Sequence, residues 1–298
     1  MDESLGTILT AMVTPFTADQ QVDRVAFVKL AEFLLDSGSD GLVVAGTTGE
    51  SPTLSDDEKL ELFAAAVDAV GDRATVVAGT GTYDTLHSAH LTAHAHDLGV
   101  DGFLAVTPYY NKPPQRAIVR HFQEIAAVTD KPVVVYNIPS RVVVKIETAT
   151  IAQLADEIEN VEAVKQAHDD LDDARFIAQE TRLDLYAGDD ALIFPFLQLG
   201  GLGGICVHTH VWGPQTKEMV RRFMDGDVEG ARALNDEMQP AYDLLRIQTN
   251  PIPIKAALAL LGHYVGGYRL PMVEPTDEEL DQIRACLVRG GILEPASA

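Results

Sequence analysis

The sequence predicts an α/β protein, a (β/α)8 TIM barrel followed by a C-terminal helical extension. Three observations predict it. Eight short apolar, β-rich runs recur along the chain, amphipathic stretches lie between them, and from Pro214 the pattern is helical almost to the end. A length of 298 residues suits one large barrel or two ordinary domains, 46% hydrophobic residues can fill a substantial core, and 22% charged residues argue against disorder away from the ends.

The predicted strands are Ile8–Val13, Gly41–Ala45, Thr75–Ala78, Gly102–Val106, Val133–Tyr136, Val161–Val164, Leu183–Ala187 and Gly203–Val207. Helical periodicity covers Arg24–Ser37, Ser55–Val70, Thr85–Leu98, Pro114–Val128 and Thr148–Ile158, and a charge-rich helical stretch follows Lys165. Ser55 with Glu58 forms a capping box, and Gly38, Gly71 and Gly99 stand where helix C-terminal glycines belong. Asp189 or Asp190 reads as the cap of a helix starting near Ala191. The extension reads as three helices, Asp227–Gln248, Pro251–Leu261 and Thr276–Arg289. The expected division is 1–224 for the barrel and 225–298 for the extension. A doubly wound open sheet is the rival fold. Gly79-Thr80-Gly81 continues to Asp84 rather than to a third glycine, and no Gly-x-x-x-x-Gly-Lys loop is present.

A formal charge of −23 excludes nucleic acid and anionic membranes as partners. Cys206 and Cys286 lack redox or metal-ligand spacing, which fits reduced thiols in a cytoplasm. Met1-Asp2-Glu3-Ser4 lacks a basic-then-apolar signal, and apolar runs are too short to span a membrane.

In such barrels chemistry sits at the carboxyl ends of the strands. The polar segments fall there: Gly46–Ser51 with Thr47 and Thr48, Thr107–Asn111 with Tyr110, Tyr136–Arg141, Lys165, and Gly188-Asp189-Asp190. Taken singly, each has a structural explanation as a turn, cap, packing aromatic or surface charge. A lysine ending an apolar strand is costly unless its charge is paired or suppressed. A desolvated lysine loses its proton more readily, and the neutral amine attacks carbonyls. A ketone substrate would give a carbinolamine, then an imine, then an enamine. A tyrosine near the amine, hydrogen-bonded to a threonine and a second tyrosine, would relay protons. Thr47 and Thr48 would donate to a carboxylate beside the ketone, and Arg141 would hold a second carboxylate.

These segments, with Thr10–Phe16, Asn250–Pro253 and Arg269–Met272, resemble the dihydrodipicolinate synthase family, of the pyruvate-dependent class I aldolase and N-acetylneuraminate lyase group, over nearly the whole chain. The resemblance implies a pyruvate imine on Lys165 and no metal or dissociable cofactor. It makes Tyr136 the general acid/base, Thr48 the relay and Tyr110 a residue crossing a tight dimer. It assigns Thr47, Thr48 and the backbone at Ile205 to pyruvate, and Arg141 to L-aspartate 4-semialdehyde. It implies a homotetramer built as a dimer of dimers. Val142-Val143 replace the family's common Thr-Gly, and Gln166 replaces an acidic residue; both are expected near the second substrate. Tyr83, His87 and Lys59 replace the amide, carboxylate and histidine of lysine-inhibited members, so weak or absent inhibition by L-lysine is expected.

Three other readings are open to the residues. His208-x-His210 and the shared helix face of His87, His90 and His94 suggest a metal, although no spacing supplies a third ligand. A sister aldolase cleaving sialic acid or a 2-keto-3-deoxy sugar acid would share Lys165, Tyr136 and Thr48. A barrel kept only for binding would have lost one of Lys165, Tyr136, Thr48 or Tyr110, and all four are present. Lys255, away from any strand end, reads as structural.

Overall fold

Eight parallel strands close into a barrel in chain order, with β8 returning to β1. The computed structural model describes residues 5–295; the reading of Met1-Asp2-Glu3-Ser4 lies outside them. The strands are β1 (Ile8–Ala11), β2 (Gly41–Val44), β3 (Thr75–Gly79), β4 (Gly102–Val106), β5 (Val133–Asn137), β6 (Val161–Gln166), β7 (Asp184–Ala187) and β8 (Gly203–Cys206). All eight are where the sequence places them, with ends shifted by up to two residues. The most useful shift is in β6, which runs on through Lys165 and Gln166.

The helices between them are α1 (Arg24–Asp36), α2 (Asp56–Val70), α3 (Thr85–Asp97), α4 (Gln115–Ala126), α5 (Pro139–Val142), α6 (Thr148–Glu157), α7 (Leu171–Glu180) and α8 (Ile193–Leu199). Then come α9 (Thr209–Met224), α10 (Val228–Glu237), α11 (Gln239–Arg246), α12 (Ile252–Leu260) and α13 (Asp277–Arg289). The Ser55–Glu58 capping box forms, closing both donors at the start of α2. Gly38 and Gly99 end α1 and α3 in left-handed conformations, whereas Gly71 ends α2 in a right-handed one.

One expectation is corrected. The single helix expected over Asp227–Gln248 is two, α10 and α11. Pro240 explains the break: a ring without N–H fits a first turn and not an interior, so a new helix starts at Gln239. The segment after β5, read above only as a polar strand end, contains the helical turn α5, with Pro139 at its first position.

Period-two alternation sorts the core. In β5 to β8, Val134, Tyr136, Ala163, Tyr186 and Ile205 join one apolar cluster within the barrel. Their neighbours Val133, Val135, Val164, Leu185 and Cys206 join a second cluster beneath the outer helices. α10 to α13 extend that second cluster through Ala231, Ala241, Leu244, Ala257 and Ile283. No helix among the described residues is long and apolar enough to cross a membrane.

Candidate active site

The β5–β6 register aligns Tyr136 with Lys165, and the β6–β7 register aligns Lys165 with Tyr186. Register partners in a parallel sheet share a face, so Tyr136 and Lys165 enter the barrel mouth side by side. Lys165 Nζ lies 4.3 Å from the centre of the Tyr136 ring, and the residue is only 5% exposed. The other deeply buried lysines each face a carboxylate: Lys255 has Glu50 at 2.9 Å and Lys59 has Asp56 at 3.9 Å. No carboxylate of the described residues makes an ion pair with Lys165. Lys165 thus differs from them in resting against an aromatic face, with no acid beside it.

Two adjoining cavities, about 210 and 220 Å³, share Thr47, Tyr136, Ile138 and Arg141. The first also holds Thr48, Lys165 and Gly188; the second runs past Tyr109 and Val142. Thr48 is buried, and Arg141 is exposed on α5 with Nη2 donating to Thr249 Oγ1 at 3.3 Å. The loops around this mouth are strained. Ala45, Glu50, Tyr110 and Val143 all take positive φ without being glycine. Val143, φ +69°, stands where the family commonly has glycine, so the exchange noted in the sequence puts a β-branched side chain into a backbone region that suits glycine.

Lys165, Tyr136, Thr47, Thr48 and Arg141 are therefore brought together. Tyr110 is not: it is 92% exposed and lines neither cavity of its own chain. Among the described residues, the hydroxyls of Tyr136, Thr48 and Tyr110 make no hydrogen bond with one another, so one chain alone does not assemble the expected relay. Ile205 packs in the barrel core, and Val207, two residues on, supplies the wall of the cavity. Gln166 faces away from the site. Being next to Lys165 on a strand, it points to the opposite side, where Asn137 Nδ2 donates to its Oε1 at 3.0 Å and His168 lies 2.5 Å from its Nε2. The replacement of the family's acid by Gln166 thus lies outside the cavity that holds Lys165.

The histidine pair proves to be framework. Asp190 Oδ1 accepts the backbone N–H groups of Val207 and His208 and the His208 Nδ1–H, at 2.7, 2.6 and 2.5 Å. Burial opposes ionisation of Asp190, but these donors hold its carboxyl below the ordinary value. The other ring nitrogen of His208 meets Thr216 Oγ1 at 2.7 Å. His210 donates from Nδ1 to the Val207 carbonyl and accepts the Val13 N–H at Nε2. With every ring nitrogen engaged, neither imidazole has a lone pair for a metal. No group of three or more His, Cys, Asp or Glu among the described residues could hold one. Asp189 takes the cap expected of this acid pair, accepting the Ala191 N–H at 3.1 Å.

A family model described as the dihydrodipicolinate synthetase family matches residues 4–289. The chain belongs to this family. A relative from Moorella thermoacetica named 4-hydroxy-tetrahydrodipicolinate synthase is 51% identical over 290 residues, covering 97% of this chain and 99% of the relative. A relative of the same name from Mycolicibacterium paratuberculosis is 47% identical, covering 97% and 96%. Among solved structures, a family member from Cyanidioschyzon merolae with lysine bound superposes with a TM-score of 0.95 at 40% identity, covering 97% of this chain and 99% of that one. The family works through a pyruvate-derived imine on a lysine, without a separate cofactor.

Sequence reasoning missed the contribution of the extension. Tyr242, Leu245 and Arg246 of α11, and Asn250 just after it, line the cavity that holds Lys165. Nothing in their local pattern separates them from an ordinary amphipathic helix end. The positions tied to lysine inhibition are occupied differently here. His87 Nε2 binds Asp56 at 2.8 Å, Asp56 also faces buried Lys59, and Tyr83 packs edge-on against Tyr109.

Proposed function

We propose that the chain condenses pyruvate with L-aspartate 4-semialdehyde to 4-hydroxy-tetrahydrodipicolinate, the first committed step of lysine and diaminopimelate biosynthesis. It is then a lyase of the class I aldolase type. The observation that carries this reading is the buried Lys165 amine against Tyr136, in a cavity that also holds Thr47, Thr48 and Arg141.

Lys165 attacks the pyruvate ketone, and the carbinolamine loses water to give the imine. The imine draws electrons from the adjacent methyl group, which gives up a proton and becomes the enamine carbon nucleophile. That carbon attacks the aldehyde. The substrate's own amine then displaces Lys165 and closes the ring, with one water released overall. Tyr136 moves the protons at the amine. Thr47 and Thr48 receive the pyruvate carboxylate, and Arg141 receives that of the semialdehyde. A dimer in which Tyr110 reaches the neighbouring site completes the relay, which accounts for so exposed a tyrosine beside the mouth. Two such dimers make the tetramer, and the acidic chain works in the cytoplasm. On this reading the chain divides into a catalytic barrel, 1–224, and an appended helical part, 225–298, whose α11 walls one side of the cavity. With Lys59 and His87 sharing Asp56, a cationic L-lysine lacks its carboxylate partner, so feedback inhibition is weak or absent.

Pyruvate with borohydride followed by peptide mapping tests the chemistry: an adduct on Lys165 is expected, and its absence refutes the reading. In a coupled semialdehyde assay, Lys165→Ala lowers turnover about 10³-fold or more, roughly 4 kcal/mol of barrier. Faster turnover of sialic acid or 2-keto-3-deoxy sugar acids than of the semialdehyde pair would reassign the substrate.

A further inference from the structure

In a chain with 45 acidic residues against 22 Lys and Arg, arginines readily find carboxylates; Arg24, Arg73, Arg120 and Arg289 each have one. Arg141 and Arg246 do not. Neither forms an ion pair with a described residue, and both line the cavity that contains Lys165. They approach from opposite parts of the fold, Arg141 from α5 above the barrel and Arg246 from the last position of α11 in the extension. The contact from Arg141 Nη2 to Thr249 Oγ1 ties these two parts together three residues beyond Arg246.

The acids of the same cavity leave Arg246 free for a ligand. Asp190 is taken up by three N–H groups of Val207 and His208. Asp189 caps the Ala191 N–H and forms no ion pair with Arg246. Arg246 acts on Asp189 only through space: desolvation and the Asp190 charge push the Asp189 carboxyl up, while the Ala191 N–H and the Arg246 charge pull it down. A guanidinium with five donors, no carboxylate and a place on the wall of the cavity is a receptor for an anionic group.

We propose that Arg246 is a second carboxylate-recognising residue of the active site, pairing with Arg141 to hold the carboxylate of the aldehyde substrate. This rests on the function proposed above and adds a specificity residue from the helical extension. The pyruvate end of the cavity has Thr47 and Thr48 for its carboxylate, so the arginine pair acts on the other substrate.

The test is steady-state kinetics of the full-length protein in the coupled semialdehyde assay. Arg246→Ala is expected to raise the KM for the semialdehyde about ten-fold, equivalent to roughly 1.4 kcal/mol. The KM for pyruvate and the borohydride adduct on Lys165 stay unchanged, and Arg246→Lys recovers part of the loss. An unchanged semialdehyde KM overturns the proposal. So does restoration of the wild-type KM by Asp189→Asn in the Arg246→Ala background, since Arg246 would then serve only to screen Asp189. Failure of the underlying function is seen separately, as wild-type protein without adduct or semialdehyde turnover.

Discussion

Replacing Lys255 by Met is expected to remove a buried clamp and loosen the active-site turn with it. Lys255 Nζ donates to Glu50 Oε1 at 2.9 Å, to the Thr14 carbonyl at 3.0 Å and to the Gly267 carbonyl at 2.5 Å. It also lies 4.6 Å from the Phe16 ring centre and 4.9 Å from that of Tyr268. The paired side chains are only 1% and 2% exposed. Burial lowers the proton affinity of this amine, and Glu50 opposes that effect. Without the ammonium group, the Glu50 carboxylate is left buried with the Arg269 N–H at 3.1 Å as its remaining donor. Breaking such a pair from one side costs about 3–5 kcal/mol. Unfolding entropy of ~2.1 cal/mol/K per residue gives about 0.6 kcal/mol/K for a chain of this length, hence a fall in Tm of about 5–8 °C. Removing both charges, in Lys255→Met with Glu50→Gln, should return about half of that. Glu50 follows Thr47 and Thr48 in the same turn, with φ +57°, so the single variant should also raise the KM for pyruvate. Thermal unfolding and pyruvate kinetics check both effects. A fall below about 2 °C, or a double variant no more stable than the single one, would refute the argument.

Three further outcomes follow from the structure. His121 and His210 are buried, and desolvation lowers both to about 4 from 6.5. The unfolded chain therefore takes up these protons first, so the stability they contribute is complete above pH 6.5 and is lost as pH falls to 4. Each is worth up to about 3 kcal/mol at ~1.4 kcal/mol per unit; unfolding midpoints that do not move between pH 6.5 and 4.5 would contradict this. Val143→Gly relieves the left-handed strain at φ +69°. Set against the added chain entropy of glycine, the net gain should be about 1 kcal/mol, and a lower Tm would show that the valine is unstrained. L-lysine should half-inhibit only above about 1 mM, an affinity weaker than roughly −4 kcal/mol; potent inhibition in an initial-rate assay would mean that Lys59, His87 and Tyr83 still form a lysine site.

Much of the barrel was legible because its strands are buried on both faces and its helices are amphipathic, two patterns that local sequence carries by itself. Lys165 stood out for a related reason, as a charge ending an apolar run. The break at Pro240 was legible too, had the proline been given its weight against the helical periodicity. Gln166 illustrates a different limit. Its neighbour Lys165 drew attention to it, but strand alternation sends it to the other side of the sheet, toward Asn137 and His168.

The sequence alone determined the eight-fold alternation, the polar ends of the strands and the lysine among them, because each depends on residues close together in the chain. Tertiary structure alone decided that His208 belongs to Asp190, that Lys255 neutralises Glu50 from 205 residues away, and that Arg246 shares a cavity with Lys165. Those partnerships depend on how the barrel closes and how the last helices fold back over its mouth. Burial of apolar surface brings these segments together, and the cost of leaving a buried charge unpaired selects its partner, neither of which a local pattern encodes.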